Sequence, residues 1–259
     1  MKRRIITFVI VAVEAVLQGC GGSKQEHKAD LVVVEQKDSV YGGTEMNEYN
    51  GATFVVDVPT DGPQVLVDSV MGLLNRELYK AFEDCAHFDE NVVTFSAEEV
   101  FTSDGQQLLG NYMKQYGQPV KDNLWKTFAL TLKMEAQTEK YVTYGMEHFH
   151  CGGSCGSEKY YFTFDKKDGH VIQGLITHDS LVRFFEENPE LGVIENDAWA
   201  GMPGWTFSPD LEFENTSFGL LDDRMSLVVT GVGNHYGLIG VPYDKVNTYL
   251  SSEAQALLK

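Results

Sequence analysis

The spacing of apolar and polar positions changes part-way along this chain, and that change predicts its layout. Thr53 to Val58 reads as a strand, and Asp61-Gly62-Pro63 turns it into a helix with proline in the first turn. Val67, Val70, Met71, Leu74, Leu78 and Phe82 then recur at helical intervals and share one face. A second helix is predicted over about 104–116, with Leu109, Tyr112, Met113 and Tyr116 as its apolar face and Gly117 and Pro119 closing it. Beyond Trp125 the period becomes two. Phe128, Leu130, Leu132 and Met134 alternate with Ala129, Thr131, Lys133 and Glu135, as in a half-buried strand.

Residues 141–149 are the expected hairpin partner, and 158–165 a further strand with Tyr160, Phe162 and Phe164 on one side. Asp168-Gly169 turns the chain into Val171-Ile172, and Thr177 or Asp179 caps a short helix through Leu181, Phe184 and Phe185 that stops at Pro189. Residues 192–209 read as loop, followed by strands near 211–214, 218–221, 225–229 and 238–241 and a terminal helix over 243–250. Helices dominate early and antiparallel strands late. The expected class is α+β: an N-terminal strand-helix-helix part, then an antiparallel sheet with short helices.

The first twenty residues carry a different pattern. Lys2, Arg3 and Arg4 precede an apolar run from Ile5 to Leu17, broken by Thr7 and Glu14, and Gly19 precedes Cys20. This is the pattern of a secretory signal, and its end resembles the lipobox of bacterial lipoproteins, in which Cys20 becomes the lipidated first residue. The run is shorter than the roughly 20 apolar residues of a spanning helix. The expected organisation is a signal peptide at 1–19, a lipidated polar tether at 20–50, a small α/β domain at 51–125 and an α+β domain at 126–259. Within the tether, Leu31 to Val34 offers a short edge strand. The expected location is the bacterial envelope, on the outer side of the cytoplasmic membrane or on the outer membrane.

Charge narrows the partners. The chain has 38 acidic and 20 basic residues, a net of −18. Removal of 1–19 takes away three cations and one anion, so the mature chain lies near −20. Nucleic acid, whose binding relies on Lys and Arg neutralising phosphates, is excluded as a partner; a cationic partner would be steered toward such a surface. No cofactor is expected.

Three cysteines remain after lipidation: Cys85, Cys151 and Cys155. A secreted protein can oxidise them, and Cys151–Cys155 is the most economical pair because both flank one glycine-rich loop. That loop, Gly152-Gly153-Ser154-Cys155-Gly156, matches the G-x-S-x-G spelling of a nucleophile elbow. The elbow needs a helix directly after the serine. Here Glu158 to Phe162 read as strand, so a hairpin turn is the favoured reading; the rivals are a cell-wall hydrolase using Ser154 or a metal site, and a structural envelope component. His148, His150, Cys151 and Cys155 have the donor types of a zinc site, which a disulfide would dismantle. His87 beside Asp84 and Asp89, and His178 beside Asp179, read as surface or capping residues. Trp199 and Trp205, in a glycine-rich stretch, are candidate platform aromatics for a ligand, together with Gly152, Gly153, Ser154 and Gly156.

Residues 144–164, the Lys167-Asp168-Gly169 turn, the 179–185 helix and the ending Gly240-Val241-Pro242-Tyr243-Asp244-Lys245-Val246 resemble one known family. It is the domain of unknown function at the C-terminus of the anti-sigma factor RsiV and the deacetylase PdaC. Residues 50–125 resemble, more weakly, the α/β domain that precedes it. Cys155 stands where that family has histidine, so no role of the histidine carries over. The resemblance implies binding rather than catalysis, with a cell-wall fragment or a cationic lysozyme-like protein as ligand.

Overall fold

Alternation in the middle of the chain gives the central sheet two faces that both need cover. The computed structural model describes residues 30–42, 50–86, 108–124, 126–194, 205–232 and 235–259. In it, β1 (Val32–Tyr41), β2 (Gly51–Asp61), β3 (Thr127–Gln137), β4 (Tyr141–Cys151) and β5 (Cys155–Asp165) form one five-stranded sheet in that order. Its neighbours are antiparallel except β2 and β3. A parallel step needs a crossover, and this one contains α1 (Gln64–Ala86) and α2 (Leu108–Asn123).

After β5 come α3 (His178–Glu187), the two-residue strands β6 (Val193–Ile194) and β7 (Trp205–Thr206), and α4 (Pro209–Glu212). Strands β8 (Thr216–Leu220), β9 (Arg224–Val232) and β10 (His235–Pro242) then form an antiparallel sheet with β9 in the centre. Two short helices, α5 (Tyr243–Val246) and α6 (Ser252–Leu258), close the chain. The fold is α+β.

Each face of the five-stranded sheet has its own core. On one, Phe54, Val56, Leu130, Leu132, Val142 and Tyr144 pack with Val70, Leu74, Leu78 and Phe82 of α1 and Leu109, Tyr112 and Tyr116 of α2. Burying each such side chain contributes about 1.5–3 kcal/mol. Phe82 stacks on Phe54 with ring centroids 4.3 Å apart, and the Tyr112 hydroxyl donates to the Asn75 carbonyl at 2.9 Å. On the other face, Ala136 and Tyr141 join Leu181, Phe184, Leu227, Val241 and Leu250 in the second core.

Two threonines mark the seam between the sheets. Thr143 Oγ1 and Thr163 Oγ1 are 2.9 Å apart and buried. Thr143 donates to the Leu220 carbonyl at 2.6 Å, and the Leu220 N–H donates to Thr163 Oγ1 at 3.2 Å. With Thr163 donating to Thr143, the three groups close a ring in which each hydrogen is used once.

Several elements differ from the sequence reading. The polar tether drawn over 20–50 ends earlier, because Val32–Tyr41 is a full edge strand, held by the buried Val40 and by Gln36 Oε1, which accepts the Leu109 N–H at 2.9 Å. The β2–β3 pairing carries one sheet across residue 125, so the boundary drawn there divides no core. α2 continues through Gly117 and Pro119 to Asn123. Buried Val120 and Leu124 anchor its last turn, and Asn123 Nδ2 donates to the Pro119 carbonyl at 2.9 Å. Residues 211–214 are not strand. Pro209 sits in the first turn of α4, and Glu212 Oε2 accepts the Ser208 N–H at 2.7 Å, which favours helix there. The terminal helix expected over 243–250 shortens to α5, and a further helix, α6, capped by Ser251, follows it.

Two outcomes test these packing claims. Thr163→Val leaves the buried Leu220 N–H without its partner and should cost about 1–3 kcal/mol, read as a shift of the urea unfolding midpoint with an unchanged slope. The second concerns His170, which joins the turn after β5 to α6 by bonding Asp168 and, at 2.6 Å, Glu253. Those bonds, Asp168's first, raise its pKa above the ordinary value. Its contribution is therefore complete below the unfolded value of about 6.5 and lost as pH rises through the higher folded value. His170→Ala should lower the melting temperature more at pH 6 than at pH 9.

Candidate functional site

α1 is wide enough to cover β2 and β3 but not the whole sheet. Along its C-terminal half, Arg76, Glu77, Lys80, Ala81 and Asp84 overhang a groove of about 520 Å³. Its floor is Phe128, Leu130, Met146, Tyr160 and Phe162, with His148 at its margin. The floor is apolar because β3, β4 and β5 place residues two apart on the same face.

The lip is ionic. Glu77 is almost buried, and it accepts from Arg76 Nε at 2.6 Å and from Lys80 Nζ at 3.4 Å. Arg76 and Lys80 are themselves more than half exposed. They keep donors free to meet a ligand while Glu77 fixes their stems. Further along, buried Lys126 reaches Asp84 at 2.7 Å.

His148 stacks on Phe128 at 5.9 Å, and its Nε2 lies 3.8 Å from Glu158 Oε2. Burial holds its pKa below the ordinary imidazole value against the opposing pull of Glu158. The Tyr160 hydroxyl donates to Glu158 Oε2 at 2.8 Å. Its pKa is pushed up to about 12, first by burial and then by Glu158, so it remains a phenol at neutral pH.

The glycine-rich loop is the tip of the β4–β5 hairpin. Cys151 and Cys155 face each other across it and are joined by a disulfide. The Gly152 N–H donates to the Ser154 carbonyl at 3.1 Å, and Gly153 turns with φ +93°, a region that favours glycine. Ser154 is followed by strand β5, not a helix, and among the described residues no histidine bonds it. The elbow geometry is therefore absent at Ser154, and the hydrolase reading loses its nucleophile. The four-ligand zinc set fails as well, since the disulfide consumes the sulfurs of Cys151 and Cys155.

Cys20 and Trp199 lie outside the described residues; the backbone of Trp205 pairs with Ile194 in β7. His178 begins α3, half-buried, with its ring perpendicular to that of Phe213 at 5.2 Å. Among the described residues, Asp165, Asp168 and His170 are close enough to share an ion, but both nitrogens of His170 are already bonded to Asp168 and Glu253. The groove itself was missed in the sequence. Its signal was there in Arg76, Glu77, Lys80 and Asp84, a charged row directly beside the apolar stripe of α1.

With this geometry in place, comparison with known proteins is informative at the level of fold. The fold resembles that of a DUF3298 protein. A crystal structure of a DUF3298 family member from Bacteroides fragilis matches with a TM-score of 0.52 at 12% identity, covering 87% of this chain and 95% of that one. A DUF3298 family protein from Pseudomonas aeruginosa matches with a TM-score of 0.47 at 10% identity, covering 88% of this chain and 97% of that one. No protein-family profile matches the sequence, and no curated protein does.

Protein purified without reductant should be two hydrogens lighter by intact mass than the reduced form, with Cys151 and Cys155 in one cross-linked peptide. Reduction should cost about 2 kcal/mol of stability, the chain-entropy value for so short a loop.

Proposed function

We propose that this protein is a non-enzymatic binding module of the bacterial envelope, anchored through lipid on Cys20, whose ligand is a cell-wall fragment. The observation that carries the reading is the open groove between α1 and β3–β5, apolar and aromatic at its floor and ionic at its lip. Tyr160 and Phe162, both partly exposed, offer flat surfaces for the apolar faces of sugar rings, while Arg76 and Lys80 suit the carboxylates of a peptide stem. That combination is the ordinary make-up of a small-ligand site: much apolar surface and a few polar groups that fix orientation.

A second reading has its own support. The net charge of −18 favours a cationic, lysozyme-like protein as partner. Binding of this kind weakens as salt rises, because exposed charges are screened beyond about 10 Å at 0.1 M, and the loss appears mainly as slower association.

Both readings are tested by titrating the purified protein with muropeptides and, separately, with lysozyme at low and raised salt. The first expects muropeptide binding that Phe162→Ala weakens about tenfold or more and Ser154→Ala leaves unchanged. Salt-sensitive lysozyme binding that Phe162→Ala does not alter would favour the second. Turnover of a muropeptide or ester by the wild type would overturn the non-enzymatic reading. Anchoring is checked by Cys20→Ala, which should leave unprocessed precursor or release the protein from membranes; unchanged processing and retention would refute the anchor.

A further inference from the structure

The five-stranded sheet has one long edge that no described strand pairs. β1 is its end strand and bonds only to β2. The Gly42 N–H donates to the Asn50 carbonyl, which continues that ladder through the even-numbered residues. Backbone groups alternate in direction along an antiparallel strand, so the N–H and C=O of Val33, Glu35, Lys37 and Ser39 point away from β2. Of these, the Ser39 N–H turns back onto Asp38 Oδ1 at 2.8 Å. Among the described residues, the amides of Val33, Glu35 and Lys37 have no partner. Val32 and Val34 lie along the same edge, 50% and 40% exposed. A row of free donors and acceptors beside exposed apolar side chains is a template for another strand.

We propose that the occupant of this edge is β1 of a second copy of the chain, antiparallel about a two-fold axis at Gln36, so that two five-stranded sheets join into one. In such a self-complementary contact the outward-facing residues of one copy meet those of the other. With the axis at Gln36, Glu35 lies opposite the partner's Lys37, and Val33 opposite the partner's Ser39. Opposite charges at facing positions favour a pairing, and like charges oppose it. Moving the axis by one residue sets Glu35 against Glu35 or Lys37 against Lys37, so charge selects this register. Lys37 is exposed and, among the described residues, without an ion pair. Glu35 holds Lys133 through Oε2 at 2.6 Å, which leaves Oε1 for the partner's Lys37.

The edge is set before a partner arrives. Gln36 is buried, and its Oε1 accepts the Leu109 N–H at 2.9 Å, which fastens the middle of β1 to α2. On the helix side of the sheet, Val34 comes against the partner's strand between Gln36 and Val40 and loses part of its exposed surface. The net charge of −18 sets two copies against each other, but at 0.15 M salt that repulsion is screened beyond about 8 Å. The groove is built from α1 and β3–β5, so pairing at β1 leaves it open and does not rest on the ligand reading.

The test is sedimentation of the purified full chain at 0.15 M salt over roughly 1–100 µM, the range in which contacts of small area associate. The expected result is a monomer–dimer equilibrium closed at two copies. Lys37→Glu, which sets a carboxylate against Glu35, should weaken the dimer about tenfold or more, while Lys37→Arg should stay within about twofold of the wild type. Lys37→Pro removes an outward amide and no bond of the β1–β2 ladder, and should abolish the dimer. Melting temperatures of these variants show that each remains folded. In the wild type, the Glu35 and Lys37 amides should exchange more slowly as concentration rises. Unchanged muropeptide binding by Lys37→Glu separates loss of this edge from loss of the groove. The proposal is overturned if the wild type stays monomeric at about 100 µM, or if oligomers grow beyond the dimer. It is also overturned if Lys37→Glu or Lys37→Pro dimerises as the wild type does, or if a dimer forms while those two amides exchange as in the monomer.

Discussion

The closed ring of hydrogen bonds among Thr143, Thr163 and Leu220 fixes how the two sheets meet. A sheet face buried against another sheet ordinarily excludes polar groups, since an unpaired hydroxyl there costs about 1–3 kcal/mol. Here two hydroxyls and one peptide unit satisfy one another, and the geometry tolerates only one register of β8 over β4 and β5. The same docking seats Gly219 under the ring of Tyr161, where a Cβ would lie 2.5 Å from a ring carbon. It also brings His235 of β10 to Ser157 of β5 at 2.9 Å. With one face of β4 and β5 committed in this way, only the other is left to line a groove.

That other face shows how charge is managed in so acidic a protein. Each carboxylate at the lip of the groove has a cation beside it: Glu77 has Arg76 and Lys80, Asp84 has Lys126. On the reverse face, Lys159 reaches Glu135 at 2.6 Å across Gly145, where any Cβ would collide with the Glu135 carboxylate. The excess of acid is therefore carried elsewhere on the surface, while partly buried charges are compensated locally. This division lets the groove offer specific donors and acceptors without the repulsion that unpaired carboxylates would create.

Much of the fold was legible because periodicity reports burial. Val67 to Phe82 form the buried stripe of α1, and Phe128, Leu130 and Leu132 the buried side of β3, as their spacing required. Thr177 caps α3 through its side chain, which accepts from Ser180 N. What misled were residues whose local preference is overridden by distant partners. Pro119 reads as a stop, yet Val120 and Leu124 bury against the core and carry α2 past it. Leu211 to Glu214 alternates like a strand, but Ser208, Pro209 and Glu212 set a helical turn. Leu31 to Val34 looked like a fragment, because the edge strand that it begins continues through Gln36, Lys37 and Asp38, which no apolar pattern marks. The site was less legible than the fold. The hairpin cysteines announced themselves by proximity; the groove did not, since its walls come from α1 and from strands far along the chain.

The parallel pairing of β2 with β3 has a consequence for how the molecule assembles. β3, β4 and β5 are joined by turns of three residues each, at 138–140 and 152–154, so their ladders need little loop closure. β2 can meet β3 only after the chain between Asp61 and Thr127 has folded back, with α1 and α2 packed beneath it. Contacts between residues distant in sequence form late, because the entropy of closing the intervening chain is lost before they reward it. The β3–β5 meander and the β1–β2 hairpin are each local pairings, and the parallel β2–β3 joint between them is the contact whose loop closure is costly. Local opening of the folded protein should loosen first at the β1 edge, which pairs on one side only, while β4 and β5 stay closed by their disulfide.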